Sequence, residues 1–237
     1  VHGFGGDLNG WLFNQPALAE RHLVHALDLP GHGGSSKDVG AGDVDALASV
    51  VAGFMAKVGC AGAHVVGHSL GGAISLVLAL GDPALAASCT LVCPAGLGPD
   101  INMDYVEGFI AAARRKDLRP ILELLVADPG LVSRDMINEV LKYKRLDGVD
   151  AALRTIAGTA FAGGRQSMVL ADRLDELNVP VQVIWGREDR IIPARHAESL
   201  PPRVETHLIE GAGHMVHMEK PGEVNTLIDR FTSARSG

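Results

Sequence analysis

The sequence predicts an α/β fold, a mostly parallel sheet flanked by helices and interrupted by an inserted helical cap. Three observations carry this. Short apolar runs at 63–66, 88–93 and 181–185 alternate with segments of helical spacing. The first of these runs passes through Gly67-His68-Ser69-Leu70-Gly71-Gly72 directly into an apolar helix. Between residues 98 and 164 the alternation stops and each segment reads as helix. Strands separated by helices imply βαβ units and hence a parallel sheet. The division that follows is 1–97 for the first part of the core, 98–164 for the cap and 165–237 for the second part of the core.

The 67–72 stretch has the G-x-S-x-G pattern, in which a strained strand-to-helix turn holds a serine hydroxyl clear of the sheet. Gly67 and Gly71 flank the turn because a Cβ at either would collide as strand and helix close together. The turn also aims a helix N-terminus, with its unpaired N–H groups, at whatever Ser69 attacks. His2-Gly3-Phe4-Gly5-Gly6 is the second signal, since a loop of this kind supplies a backbone N–H to an oxyanion hole. Phe4 is the expected first donor and Leu70, after the serine, the second. The remaining members of a triad follow in the order Ser, acid, His. Asp189, just past the strand 181–185, and His214, in the glycine-flanked loop past the next strand, satisfy that order. Glu188 is the rival acid. His2, Gly3, His68 and Met215 are candidate pocket residues, His68 alternatively a packing residue. His217 stands three residues after His214, but no third ligand has sensible spacing, so no metal is expected.

Taken from its first residue, the chain opens at Val1, read as the end of a strand whose earlier part is missing. A helix over 11–19, with a kink expected at Pro16, precedes a strand at 22–27. Asp28 to Ser36 is too rich in Gly and Pro to be other than loop, and Asp28 and His32 are expected to shape it. Val44, Leu47, Val50, Val51, Phe54 and Met55 give 43–58 a helical stripe. The cap holds four helical stretches, at 103–113, 120–126, 133–144 and 149–161, with Pro120 suited to a first turn. Leu118, Ile121, Leu122 and Leu125 read as cap core. Helices at 168–177, 194–199 and 221–234 and a strand at 204–209 complete the prediction.

A net charge of −7 argues against a nucleic-acid groove, and Arg114-Arg115-Lys116 reads as a solvated helix face. The three cysteines, Cys60, Cys89 and Cys93, are expected to be reduced thiols. No apolar run is long enough to span a bilayer and no signal peptide is visible, so a cytoplasmic location without membrane contact is expected.

Assembled, these residues resemble the α/β-hydrolase superfamily. The likeness is more specific in Gly3-Phe4-Gly5-Gly6-Asp7-Leu8-Asn9, Leu27-Asp28-Leu29-Pro30-Gly31-His32-Gly33, Leu141-Lys142-Tyr143-Lys144-Arg145-Leu146-Asp147-Gly148-Val149-Asp150 and Gly213-His214-Met215-Val216. These are similar to the C-terminal domain of acetoin dehydrogenase E2 subunits, the dihydrolipoamide acetyltransferases. No lipoyl domain is present, and the H-x-x-x-D-G pattern of ordinary 2-oxoacid dehydrogenase acyltransferases is absent. The resemblance implies acetyl transfer between a dihydrolipoyl group and coenzyme A, both as substrates and neither as a bound cofactor. It also implies partnership with other subunits of that complex. A stand-alone hydrolase of a small acyl substrate (an esterase, thioesterase or carbon–carbon bond hydrolase) keeps the same residues. A binding module that has kept the fold is the non-enzymatic alternative. Dehalogenases and epoxide hydrolases are disfavoured because they carry aspartate where Ser69 stands.

Overall fold

A computed structural model of the chain describes residues 1–234. Four strands form one sheet: β1 (Ala63–His68), β2 (Ala86–Val92), β3 (Val181–Gly186) and β4 (Glu205–Ile209). They lie side by side in sequence order, every neighbouring pair parallel. All six residues of β3 are buried, as an apolar strand covered on both faces requires. In a parallel sheet all C-terminal ends share one edge, so the residues following β1, β2, β3 and β4 are neighbours although distant in sequence.

Helices in chain order are α1 (Gln15–Leu18), α2 (Val44–Val58), α3 (Leu70–Gly81), α4 (Met103–Ala111), α5 (Arg115–Glu123), α6 (Arg134–Lys144), α7 (Val149–Ala160), α8 (Val216–Glu219) and α9 (Pro221–Ser233). Local chemistry explains several boundaries. The Asp43 carboxylate accepts from Ala46 N at 2.8 Å and starts α2, and Gly59 ends it in the left-handed region at φ 72°. Ser133 caps α6 through Met136 N at 3.0 Å. The α3 helix buries nine of its twelve residues, from Leu70 to Ala79, which suits a helix pressed between β1 and α2.

Helices α4 to α7 occupy the span between β2 and β3. Their apolar faces join the main core: Phe109, Leu118, Ile137 and Leu153 are each buried to within 1% of complete. Leu118 and Leu122 are buried, while Ile121 and Leu125 pack partly exposed against the same core. The Lys144 ammonium donates to the carbonyls of Phe109, Ile110 and Ala112 and closes the C-terminal end of α4 with positive charge.

The structure departs from the sequence expectations at five places. Residues 22–27 run without helix or strand, because no ladder partner lies beside them among the described residues. An apolar slot of about 300 Å³, lined on one side by 22–27 and on the other by Ala63 to Val66, separates them from β1. Val1 bonds to that edge of β1, donating to the Val66 carbonyl at 2.7 Å and accepting from His68 N at 2.9 Å. Pro120 is interior to α5 and not in its first turn; the helix begins at Arg115, where burial of Leu118 and Leu122 outweighs the lost backbone bond. The expected helices at 168–177 and 194–199 shorten to brief 3₁₀ segments at Ala171–Glu176 and Ala194–Ala197. Both are too short to repay helix nucleation and are held by one buried side chain each, Leu174 and Ala197. The expected helix 11–19 splits into a 3₁₀ turn, Leu8–Trp11, and the four-residue α1, with Pro16 at its start.

Among the described residues no helix is long and apolar enough to cross a membrane. Replacing Leu91, which is 0% exposed in β2, by alanine is expected to lower unfolding free energy by about 2–5 kcal/mol. Leu23→Ala, at a side chain 86% exposed, is expected to change it by less than about 0.5 kcal/mol. Urea denaturation of the two variants checks the contrast.

Candidate active site

Ser69 sits between β1 and α3 with φ 52° and ψ −119°, a strained conformation for a residue with a side chain. The turn is possible because a Cβ on Gly67 would overlap the Gly71 carbonyl. Three backbone bonds fix it: Ser69 N donates to Val92 O at 3.0 Å, and Ser69 O accepts from Gly72 N at 2.8 Å and Ala95 N at 2.9 Å.

Beyond β3 and β4 lie the acid and the imidazole. His214 Nδ1 is 2.8 Å from Asp189 Oδ2, with the two side chains 2% and 0% exposed. Asp189 receives three further N–H donors: Trp185 Nε1 at 2.9 Å on Oδ2, and Ile191 N and Ile192 N at 2.8 and 3.0 Å on Oδ1. Four donors saturate a carboxylate and lock its rotamer. An Nδ1–H facing this carboxylate leaves Nε2 of His214 as the basic nitrogen. Glu188 is exposed and spends its carboxylate on Ala212 N at 3.0 Å, so of the two acids Asp189 is the one that meets His214. The loop carrying His214 is pinned on both flanks. Glu219 accepts from Gly213 N and from Ala127 N, each at 2.7 Å, and Met215 N donates to Leu125 O at 2.9 Å.

Ser69 Oγ forms no hydrogen bond with His214 among the described residues. Their neighbourhood is carried by the adjacent residue: His68 Nε2 lies 2.9 Å from the His214 carbonyl, and the two rings are 4.7 Å apart. On the other side the 3–6 loop comes so close that a Cβ on Gly3 would stand 2.8 Å from the Ser69 Cβ.

The two candidate oxyanion donors share one construction. A trans peptide is planar, with its N–H opposed to its C=O, so gripping the carbonyl aims the N–H. Gly3 O accepts from His2 Nδ1 at 2.8 Å and Gly6 N at 3.1 Å, which fixes the direction of Phe4 N–H. Ser69 O is held by Gly72 and Ala95, which does the same for Leu70 N–H. Among the described residues neither N–H has a hydrogen-bond partner.

The expected pocket residues distribute as follows. His2 is buried, and its Nε2 accepts from Leu29 N at 2.9 Å while Nδ1 donates to Gly3, so both nitrogens serve backbone. His68 is packed between His214 and His217, whose ring is 4.5 Å away. Met215 is half-buried at the start of α8. His217 packs against Trp11 at 4.6 Å, tilted by 37°, and is not among the residues that gather around His214 and Asp189 within ligating distance. Cys93, after β2 at φ 41°, is the residue that sequence reasoning passed over; its position just after a strand was the available signal. Its Sγ groups with Asp189 and His214 within 4.8 Å, but it already accepts from Gly186 N at 3.5 Å, and burial pushes its thiol up. With the oxygens of Asp189 saturated, these three atoms are a packed cluster and not a vacant ligand set. All three cysteines are free.

Burial holds the His32 pKa down to about 4 and the His217 pKa down to about 3. An unfolded histidine takes up its proton near 6.5, so the unfolded chain gains protons first as pH falls. Each residue therefore contributes stability that is complete above pH 6.5 and is lost as pH falls toward 4 and 3, about 3 kcal/mol for His32 and about 5 kcal/mol for His217. Urea midpoints are expected to hold steady from pH 8 to 7 and to decline from 6.5 to 4.5. His217→Gln should decline less steeply, and identical slopes would contradict the assignment.

Residues 1–227 match a model described as the alpha/beta hydrolase family. The chain is 47% identical over 230 residues to the dihydrolipoyllysine-residue acetyltransferase component of the acetoin cleaving system of Cupriavidus necator. It is 49% identical over 231 residues to the protein of the same name from Pseudomonas putida. These alignments cover 97% and 98% of the chain but 62% of each relative, so the chain spans under two thirds of their length. Among solved structures, a meta-cleavage product hydrolase from Pseudomonas fluorescens superposes with a TM-score of 0.87 at 22% identity, covering 98% of this chain and 89% of that one. A 2-hydroxy-6-oxo-6-phenylhexa-2,4-dienoate hydrolase from Rhodococcus gives 0.85 at 23%, covering 97% and 88%. The likeness to these two is one of fold, and by the family model over residues 1–227 this chain belongs to the alpha/beta hydrolase family.

Proposed function

We propose that the chain is a serine-dependent acyl-transfer enzyme that passes an acetyl group between a dihydrolipoyl thiol and coenzyme A. The single observation that carries the chemistry is the buried 2.8 Å contact between His214 Nδ1 and Asp189 Oδ2 at the edge where the strained Ser69 turn emerges. The choice of the acetyl group and the dihydrolipoyl thiol rests on the name shared by the relatives at 47% and 49% identity, and that of coenzyme A on the family resemblance.

In this reading Ser69 Oγ attacks the thioester carbonyl while His214 Nε2 takes the hydroxyl proton, an approach that tightens as substrate seats. Asp189 holds the imidazole and balances its charge. The oxyanion is received by Phe4 N–H and Leu70 N–H, each donor of this kind being worth about 3–4 kcal/mol in the transition state. The carbon–sulfur bond then breaks, the leaving thiolate takes the proton from His214, and an acetyl–Ser69 ester remains. A second thiol, deprotonated by the same imidazole, reverses the sequence and frees the serine. Helices α4 to α7 act as the cap over this edge; excluding water is what would favour thiol over water as acceptor. Other subunits of the acetoin system are the proposed partners.

The test supplies acetyl-coenzyme A and dihydrolipoamide and follows free coenzyme A, S-acetyldihydrolipoamide and acetate. Thioester exchange outrunning acetate release is expected, and acetate alone would replace transfer by hydrolysis on the same residues. Ser69→Ala should abolish labelling by a fluorophosphonate and lower turnover at least about 10³-fold, and Asp189→Asn should lower it about 10⁴-fold. Folded wild-type protein that neither labels nor turns over would reduce the chain to a binding module.

A further inference from the structure

The Phe4–Gly5 peptide is gripped at both ends. Gly5 N donates to His32 Nε2 at 3.0 Å, and the Phe4 carbonyl accepts from Tyr105 O–H at 3.3 Å. His32 comes from the loop after residue 27, and Tyr105 from α4 in the helical insertion. Because N–H and C=O of one trans peptide point in opposite directions, the two side chains hold this plane from opposite sides. The plane before it, Gly3–Phe4, is held by His2 and Gly6. Phe4 therefore has both flanking peptides clamped while its own N–H stays open.

His32 is itself set for this task. Its Nδ1 lies 3.0 Å from Pro30 O, which requires the proton on that nitrogen and leaves Nε2 as acceptor. The ring is completely buried and parallel to the Tyr143 ring within 12° at 6.5 Å. Tyr143, from α6, donates to Gly31 O at 2.8 Å. The chain has two tyrosines, and both reach out of the helical insertion to end on backbone carbonyls of this frame.

We infer that His32 and Tyr105 are positioning residues for the oxyanion donor at Phe4. Through Tyr105, the helical insertion helps to build the catalytic edge as well as covering it. The inference rests on the acyl-transfer reading. It predicts that the two side chains matter more once charge develops on the carbonyl oxygen than when substrate first binds, since a misdirected N–H fails the transition state selectively.

The experiment compares wild type, Tyr105→Phe, His32→Leu and His32→Gln by kcat, KM, thermal melting and the Ki of an alkyl trifluoromethyl ketone, which forms a tetrahedral adduct on serine. For Tyr105→Phe, kcat is expected to fall and Ki to rise by about tenfold with KM within about twofold. For His32→Leu the same changes should reach about 10- to 100-fold. His32→Gln, whose amide oxygen can still accept from Gly5 N–H, should recover part of the loss. Should His32→Leu fail to fold, Tyr105→Phe, which removes a single oxygen, decides alone. Active variants with lowered melting temperature but unchanged kcat and Ki would overturn the inference and leave the acyl-transfer reading standing. Wild type inert toward acetyl-coenzyme A and aryl acetates alike would overturn both.

Discussion

Parallel alignment of four strands is the constraint from which the rest of this molecule follows. Pairings such as His68 with Val92 and Gly186 with Ile209 put the ends of consecutive strands level, so whatever follows them meets at one edge. Ser69 follows β1, Cys93 follows β2, Asp189 comes three residues after β3, and His214 five after β4. No long-range side-chain contact is needed to gather them. The ladder does it, and the side chains only refine the result.

Refinement comes mostly from hydrogen bonds spent on backbone. Asp189 uses two of its four on the amides of Ile191 and Ile192, which stiffens its own loop. Glu219 ties the loop of His214 to the turn after α5, and Arg190 donates to the carbonyls of Glu123 and Val126 from the loop of Asp189. The helical insertion is thus bonded to both loops that carry Asp189 and His214 and, through Tyr105, to the loop that carries Phe4. Buried histidines serve the same end. His2, His32 and His68 each present a neutral ring to a backbone group, a state their burial favours by disfavouring the cation.

What was legible in the sequence is what short-range chemistry determines. The α2 helix announced itself through its Asp43 cap and apolar stripe, the Ser69 turn through its glycines, and Asp189 and His214 through their places just beyond strands. The strand expected at 22–27 had the right composition, but a strand exists only with a partner, and composition does not report one. Pro120 misled because its local cost was outweighed by the burial of Leu118 and Leu122, a tertiary effect. His32 and Tyr105 touch the Phe4–Gly5 peptide across 27 and 101 residues, and no periodicity or spacing carries a signal over such distances. His32 could be assigned to loop shaping from its setting; which peptide it holds could not.

A crystal structure of the protein after reaction with a phosphonate that forms a tetrahedral adduct tests the central claim most directly. The expected result is phosphorus bonded to Ser69 Oγ, one phosphonyl oxygen about 2.7–3.1 Å from both Phe4 N and Leu70 N, and His214 Nε2 within hydrogen-bonding reach of Oγ. An adduct on another residue, or an oxygen turned away from those two amides, would contradict it.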